Sequence, residues 1–265
     1  MPREFTYGPF NSRRLKLSLG VDVLPSSKKC TYNCIYCELG ITRRDQLVSP
    51  EYRIDKKCTN QFKKELRTIL KYVPHLNSIT FGYNGEPTLN ENLTDFLFAA
   101  KIIREQINWK SEKPILTLFT NSSTLYSKQI RERVSQFEWI LAKLDVANDE
   151  MFRKINRPHK EVPSIRIIVD SLVKLRNSLP EQHKLAIQSL IFNSYKKGYS
   201  NESEDYIWEL GQAINEIEPD MVQLYSIARI PAEYYVYSIG EQEKMEIIKQ
   251  IKDSIGSKKI KVEFF

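Results

Sequence analysis

Residues 30–37 read Cys30-Thr31-Tyr32-Asn33-Cys34-Ile35-Tyr36-Cys37, which sets three of the four cysteines in the chain at a C-x3-C-x2-C spacing. Three thiolates on one loop can wrap a cubane iron-sulfur cluster. A cubane has four irons, so three protein ligands leave one iron open to a small molecule, as catalytic metal sites generally do. Electron transfer alone would call for a fourth cysteine. The spacing therefore predicts one 4Fe-4S cluster held by Cys30, Cys34 and Cys37.

The alternative interpretation of the three cysteines is a zinc site. Zinc normally pairs two C-x2-C or Cys/His units. The residues left for a second unit are Cys58, His75, His159 and His183, and they are scattered along the chain. The sequence favours iron and sulfide over zinc.

Six apolar runs rich in β-branched residues alternate with amphipathic segments, and this βα alternation is typical of a parallel sheet. The predicted strands lie around Leu17–Leu24, Ser78–Gly82, Ile115–Thr120, Trp139–Asp145, Leu185–Phe192 and Met221–Ala228. Six βα units are too few for an eight-stranded closed barrel. The fold class predicted is therefore α/β, a partial (β/α)6 barrel of parallel strands with outer helices.

The helices are predicted from apolar residues at helical spacing. Two are indicated near Phe62–Val73 and Leu93–Ile103, and three more over Val162–Arg176, Glu204–Ile217 and Gln242–Ile255, with a last strand over Lys259–Phe264. Without a linker or repeat, we expect a single domain over 1–265. Within it, 1–29 form an N-terminal extension and the first strand, and 30–37 form the cluster loop.

The cysteine motif resembles the hallmark of the radical S-adenosylmethionine superfamily, C-x3-C-x-Φ-C, in which Φ is aromatic and is matched here by Tyr36. The resemblance implies that S-adenosylmethionine chelates the open iron. It also implies that an electron from the reduced cluster cleaves this cofactor to methionine and a 5'-deoxyadenosyl radical, which abstracts hydrogen. The cofactor supplies the chemistry and the protein positions it.

The resemblance continues at the carboxyl ends of the strands, where functional loops converge in parallel α/β folds. It implies cofactor contacts from residues at five places along the chain: Tyr36; Gly85, Glu86 and Pro87; Asn121; Lys143 and Asp145; and Ser189. Each motif also has a structural interpretation. Glu86 can be a turn residue before Pro87, and Asn121 can cap a helix.

Both ends of the chain show a narrower resemblance, to the wyosine-synthase-like iron-sulfur oxidoreductases, whose best known members modify a guanosine in tRNA. It is carried by the segments Gly8-Pro9-Phe10-Asn11-Ser12-Arg13-Arg14-Leu15 and Tyr225-Ser226-Ile227-Ala228-Arg229-Ile230-Pro231. Lys16 stands where those proteins usually have glycine. We expect Arg13, Arg14 and Arg229 to contact substrate, because guanidinium groups bind phosphate or carboxylate through paired hydrogen bonds. For Arg13 and Arg14 the alternative is a structural ion pair with Asp22 or a neighbouring acid.

The charge is uneven: residues 1–65 carry 13 Lys and Arg against 7 Asp and Glu, which accounts for +6 of the net charge of +7. Such a basic region attracts anions, so tRNA or another anionic molecule is a candidate partner. The alternative is that the basic region is an ordinary solvated surface. Radical modification of a peptide, protein or small metabolite is an alternative, and a non-catalytic iron-sulfur electron carrier is another.

The remaining expectations concern partners and location. A radical enzyme of this type needs an electron donor such as flavodoxin or ferredoxin. No apolar run approaches the ~20 residues that span a bilayer, and the N-terminus lacks the apolar core of a signal peptide. We therefore expect a cytoplasmic protein with no membrane partner.

Overall fold

The computed structural model describes residues 3–256 and 259–265. Its centre is an eight-stranded sheet with the order β1-β2-β3-β4-β5-β6-β8-β10. The strands are β1 (Thr6–Ser12), β2 (Lys16–Val21), β3 (Ser78–Phe81), β4 (Ile115–Thr120), β5 (Trp139–Lys143), β6 (Lys184–Leu190), β8 (Met221–Tyr225) and β10 (Lys261–Phe264). Two short strands, β7 (Asn193–Ser194) and β9 (Val236–Tyr237), pair separately.

All neighbouring strands in the large sheet are parallel except β1 and β2, which form an antiparallel hairpin. Helices follow the parallel strands: α1 (Asn60–Tyr72), α2 (Leu93–Glu105), α3 (Lys128–Val134), α4 (Asp149–Ile155), α5 (Ile165–Ser178), α6 (Glu204–Ile217) and α7 (Glu241–Ser254). The expectation of a partial, open barrel of parallel strands with outer helices is confirmed.

The six predicted strands all occur, and β10 provides the possible seventh. The structure differs from the sequence-based expectation at β1, which was not predicted because Gly8 and Pro9 interrupt it. It also differs at α3 and α4, which have only seven residues each, so hydrophobic periodicity has little length in which to appear.

The sheet has two differently packed faces because successive side chains of a strand alternate. The outer face joins the helices in one large apolar core that includes Leu118, Ile140 and Leu224. On the inner, concave face a smaller buried cluster forms from Leu15, Leu141 and Ala186, with Phe119, Trp139 and Met221 packed against it. The turn between β1 and β2 thus inserts into the concave side of the sheet.

Lys16 allows that insertion by adopting a left-handed backbone conformation, with φ of 56°. Glycine adopts this conformation without the steric cost that a β-carbon brings. A glycine at this position would form the turn without that cost, and this chain forms it with lysine.

Across residues 3–256 and 259–265, no helix combines the length and the apolar character needed to cross a membrane.

Candidate functional site

The cysteine loop follows β2 and is held in place by backbone hydrogen bonds on both sides. On one side, the Cys30 N–H donates to Gln46 over 3.0 Å, and Val48 donates to the Cys30 carbonyl over 2.9 Å. On the other side, the Ile35 N–H donates to the carbonyl of Ile155 over 2.9 Å at the end of α4. Although the loop has no regular secondary structure, its backbone is thus fixed.

The three cysteine side chains are half-buried, and each sulfur accepts a hydrogen bond from a different side chain. The donor and sulfur pairs are Asn121 Nδ2 with Cys30 Sγ (3.5 Å), Asn156 Nδ2 with Cys34 Sγ (3.6 Å), and Lys28 Nζ with Cys37 Sγ (3.3 Å). N–H donors around sulfur stabilise thiolate and are among the groups that tune iron-sulfur clusters. The donor set suits three metal-bound thiolates.

Burial raises the pKa of the Cys30 thiol to about 12 and that of the Cys34 thiol to about 11. Without a metal these groups therefore stay protonated at neutral pH, and a metal would have to displace the protons. Within the described part of the chain, no three His, Cys, Asp or Glu side chains converge on a single-ion site. A cubane makes a different demand, because each thiolate binds a different iron.

The segment after β3 lies directly against the start of the cysteine loop. Lys29 and Gly85 form a parallel bridge, in which Lys29 N–H donates to the Asn84 carbonyl over 3.1 Å and Glu86 N–H donates to the Lys29 carbonyl over 3.0 Å. Gly85 has φ of 130°, a conformation open to glycine. The cysteine loop and the Gly85 segment thus form one surface, although Cys37 and Gly85 are 48 positions apart in sequence.

Glu86 is fully buried and its carboxylate is surrounded by donors. Oε1 accepts from the Thr88 hydroxyl (2.6 Å), the Thr88 N–H (3.2 Å) and the Thr120 hydroxyl (2.8 Å), and Oε2 accepts from the Asn121 N–H (2.6 Å). Burial raises its pKa, and these hydrogen bonds oppose the rise. Glu86 also caps the 3-10 turn that begins at Pro87. In this structure Glu86 joins the ends of β3 and β4 and so positions Asn121.

Asn121 links that junction to the cysteine loop. Besides Cys30, its Nδ2 donates to the Thr31 hydroxyl over 2.8 Å, and its Oδ1 accepts from the Ser123 N–H over 3.0 Å. The asparagine therefore both caps the turn after β4 and contacts the cluster loop, so the two interpretations drawn from sequence are compatible.

A second polar network runs from the cysteine loop to β5 and β8. The Tyr36 hydroxyl donates to Asp145, and Asn156 Nδ2 donates to Asp145 Oδ2 over 2.9 Å and to the Tyr36 hydroxyl over 2.7 Å. Lys143 Nζ donates to Asp145 Oδ1 over 2.8 Å and to the Tyr225 hydroxyl over 2.7 Å. Burial lowers the pKa of Lys143, but Asp145 and Tyr225 outweigh it and hold the pKa above its ordinary value. The lysine is therefore a cation.

The structure separates the three arginines. Arg13 is exposed and donates to the carbonyl of Phe265 over 3.3 Å. Arg229 is 71% exposed and pairs with Glu38, just after the cysteine loop. Arg14 instead lies on the concave face of the sheet, and none of the three forms an ion pair with Asp22 within the described ranges.

Ser189 is not brought to this site. It belongs to β6, on the face opposite to Ala186, and its fully buried hydroxyl donates to the carbonyl of Leu144 over 2.5 Å. Its hydrogen bond joins β5 to β6.

Sequence reasoning missed Lys28 and Asn156. Lys28 precedes Cys30 by two residues, so a cation beside the first cysteine is a signal that could have identified it. Asn156 has no such signal, because its position depends on where the short helix α4 ends.

Comparison with known proteins finds relatives that match most of this chain. It is 30% identical to a UPF0026 protein of Methanocaldococcus jannaschii over 97% of this chain and 74% of that protein. It is also 29% identical to a protein named GTPase Obg from Brachyspira hyodysenteriae, over 89% of this chain but only 32% of that protein, so the chain spans about a third of that relative. No protein-family model matches the chain.

Solved structures show the fold. The chain superposes on Streptococcus suis SuiB bound to S-adenosylmethionine with a TM-score of 0.60 and 15% identity, over 90% of this chain and 48% of that one. It superposes on TYW1 with a lysine-pyruvate adduct with a TM-score of 0.58 and 15% identity, over 89% and 73% of the two chains. The expected resemblance to the radical S-adenosylmethionine superfamily is confirmed at the level of the fold.

Proposed function

The chain belongs to the UPF0026 family and has the fold of radical S-adenosylmethionine enzymes, and we propose that it is such an enzyme. In this proposal, Cys30, Cys34 and Cys37 hold one 4Fe-4S cluster. The observation that carries the proposal is the set of three half-buried cysteines on one fixed loop, each sulfur with its own N–H donor.

When bound and reduced, such a cluster supplies the electron that cleaves S-adenosylmethionine to methionine and a 5'-deoxyadenosyl radical. The residues of this chain fit the group, because three thiols are provided and the remaining cysteine, Cys58, lies elsewhere, just before the N-cap of α1. One iron would then have no cysteine ligand, which leaves a place for the cofactor.

The other residues of the site bind and orient. Asn121, Asn156 and Lys28 hold the thiolates by their N–H groups. Gly85 keeps backbone close to the loop, and Glu86 fixes the turn that carries Asn121. We propose that the cofactor contacts this surface through Tyr36, the backbone of residues 85–87, Asn121, and the pair Lys143 and Asp145.

The substrate is proposed to carry an anionic group, with tRNA as one candidate, and the electron donor to be a flavodoxin or ferredoxin. The basic segment 1–65 and the exposed Arg229 next to the cysteine loop support an anionic partner. A peptide is the second candidate, because SuiB, which shares the fold, has been solved with its precursor peptide.

The proposal is tested by anaerobic reconstitution with iron and sulfide. Wild-type protein should bind about four irons and four sulfides per chain. Replacing Cys30, Cys34 or Cys37 by Ala should remove the cluster, and Cys58→Ala is the matched control that should keep it. Zinc as the only metal, or loss of iron in the Cys58 variant, would contradict the assignment.

A further inference from the structure

The concave face of the sheet contains an arginine that the proposed cluster chemistry does not use. Arg14 lies in the turn between β1 and β2, next to Leu15, whose side chain packs on Leu141 and Ala186. The inserted turn therefore carries the guanidinium into the concave side of the sheet.

Two aromatic rings of that face surround the Arg14 guanidinium. Its Cζ lies 4.3 Å from the ring centroid of Tyr225 and 5.8 Å from that of Phe119. Tyr225 ends β8 and Phe119 is near the end of β4, and two other strands, β5 and β6, lie between them in the sheet. The guanidinium thus lies on the inner face between side chains of β4 and β8, near the carboxyl ends of the strands. The cysteine loop lies at the same end of the sheet.

One nitrogen of Arg14 lacks an acceptor. Nη1 is buried and has no hydrogen-bond partner among residues 3–256 and 259–265. A buried N–H of a charged group costs free energy when it is unpaired, so such donors are normally matched by an acceptor. Arg14 as a whole residue is only half-buried, so other atoms of the residue are exposed although Nη1 is not.

The local charges also leave Arg14 without an anion. Lys143 Nζ lies 4.9 Å from the same Tyr225 ring, so two cations share that ring. The Asp145 carboxylate accepts hydrogen bonds from Lys143, Tyr36 and Asn156 instead. Beside the Tyr225 ring, Arg14 and Lys143 are therefore two cations next to one carboxylate, Asp145.

We propose that Arg14, stacked on Tyr225, binds one anionic group of the substrate, a carboxylate or a phosphate, on the concave face of the sheet. The site rests on the proposed function, since it places the substrate beside the cofactor surface. It assigns Arg14 to binding and leaves the neighbouring Arg13, which is exposed and donates to the Phe265 carbonyl, without such a role.

The test measures thermal unfolding of the reconstituted protein in chloride, inorganic phosphate and acetate at matched ionic strength. At about 100 times the dissociation constant, the bound anion should raise the wild-type midpoint by about 5 °C. Arg14→Gln should lose this rise and Arg13→Gln should keep it. Phosphate also stabilises proteins without binding a site, but that effect is common to all three proteins. The anion that gives the larger Arg14-dependent rise in the midpoint identifies whether the site prefers a phosphate or a carboxylate.

Two further outcomes decide the proposal. An anion-dependent rise that is equal in wild type and both variants would overturn the site. If Arg14→Gln does not fold, wild-type crystals grown with selenate should show anomalous density at Arg14, and its absence at saturating selenate would overturn it too.

This outcome is separable from failure of the proposed function. Iron content should be unchanged in Arg14→Gln, because the arginine contacts neither the cysteines nor the Gly85 segment. Absence of any cluster would defeat the proposed enzyme while leaving the anion titration interpretable.

Discussion

Gly85 approaches Lys29 so closely that a β-carbon on the glycine would lie 1.8 Å from the lysine carbonyl oxygen. This contact aligns the segment after β3 with the first residues of the cysteine loop. Gly85→Ala should force the two segments apart and lower the free energy of unfolding by about 2–4 kcal/mol, from overpacking and backbone strain together. It should also impair cluster assembly.

Gly40→Ala is the control for Gly85→Ala. Gly40 has a positive φ of 75° but no atom within 4 Å of its would-be β-carbon, so alanine there meets strain without a clash. Denaturant unfolding and iron analysis of both variants separate the two effects. Equal losses in stability and iron content would show that the Lys29 contact is unimportant.

The hydrogen bond from Asn121 to Cys30 should affect the cluster's reduction potential. Asn121→Asp keeps the size and the acceptor for Ser123 but replaces the N–H donor by negative charge. Removing a donor and adding a negative charge disfavours the reduced cluster, so we expect a lower midpoint potential in a redox titration followed by electron paramagnetic resonance.

Asn215→Asp provides the comparison for Asn121→Asp. Asn215 lies on α6, where its Oδ1 accepts from the Gly256 N–H over 2.9 Å, and aspartate can keep that role. This variant adds the same charge away from the loop and should leave the potential unchanged. A potential equal to wild type in the Asn121 variant would argue against the Cys30 hydrogen bond.

Arg104 and Glu138 form a largely buried ion pair that should make stability depend on acid pH. Two hydrogen bonds of 2.7 and 2.8 Å join them, and Arg104 is only 6% exposed. Burial raises the pKa of Glu138, but the bonds from Arg104 and from the Leu116 N–H lower it more, so the pKa lies below its usual value. The stabilisation is therefore present above about pH 4.5 and is lost as pH falls through the lowered pKa.

Glu138→Gln should cost about 2–3 kcal/mol at pH 7, below the 3–5 kcal/mol of a fully buried pair because Glu138 is partly exposed. The difference from wild type should shrink as pH falls below about 4.5. Glu105→Gln removes the exposed neighbour of Arg104 and should change little. A Glu138 effect that persists undiminished at pH 3 would contradict the linkage.

Binding of tRNA should depend steeply on salt if the basic segment contacts several phosphates, because each contact releases counterions. Labelled bulk tRNA titrated with reconstituted protein should bind at low salt and weaken strongly at physiological salt. Arg229→Ala should weaken all tRNAs alike if Arg229 holds backbone phosphate. Absence of binding at low salt would eliminate RNA and favour a peptide or metabolite.

Much of the fold could be predicted from sequence because strands such as Ile115–Thr120 are short runs of apolar and β-branched residues, which suit a sheet buried on both faces. β1 could not, since Gly8 and Pro9 remove the pattern and its pairing with β2 depends on the turn at Lys16. Short helices such as α4 could not be predicted either, because seven residues contain less than two full turns of the helical repeat.

The candidate site shows the same division. The cysteines and Gly85 could be found because motif spacing is a local property of the chain. The surroundings of Glu86 could not, because its donors Thr120 and Asn121 come from another strand, and neither could the inward position of Arg14, which tertiary packing of Leu15 determines.

Incubating the reconstituted, chemically reduced protein with S-adenosylmethionine and quantifying 5'-deoxyadenosine and methionine tests whether this chain is a radical enzyme. We expect both products in equal amounts from wild type and from Cys58→Ala, and neither from Cys34→Ala. A fully assembled, reduced cluster that yields no 5'-deoxyadenosine, even when cell extract supplies substrate, would contradict the account and indicate an electron-transfer protein.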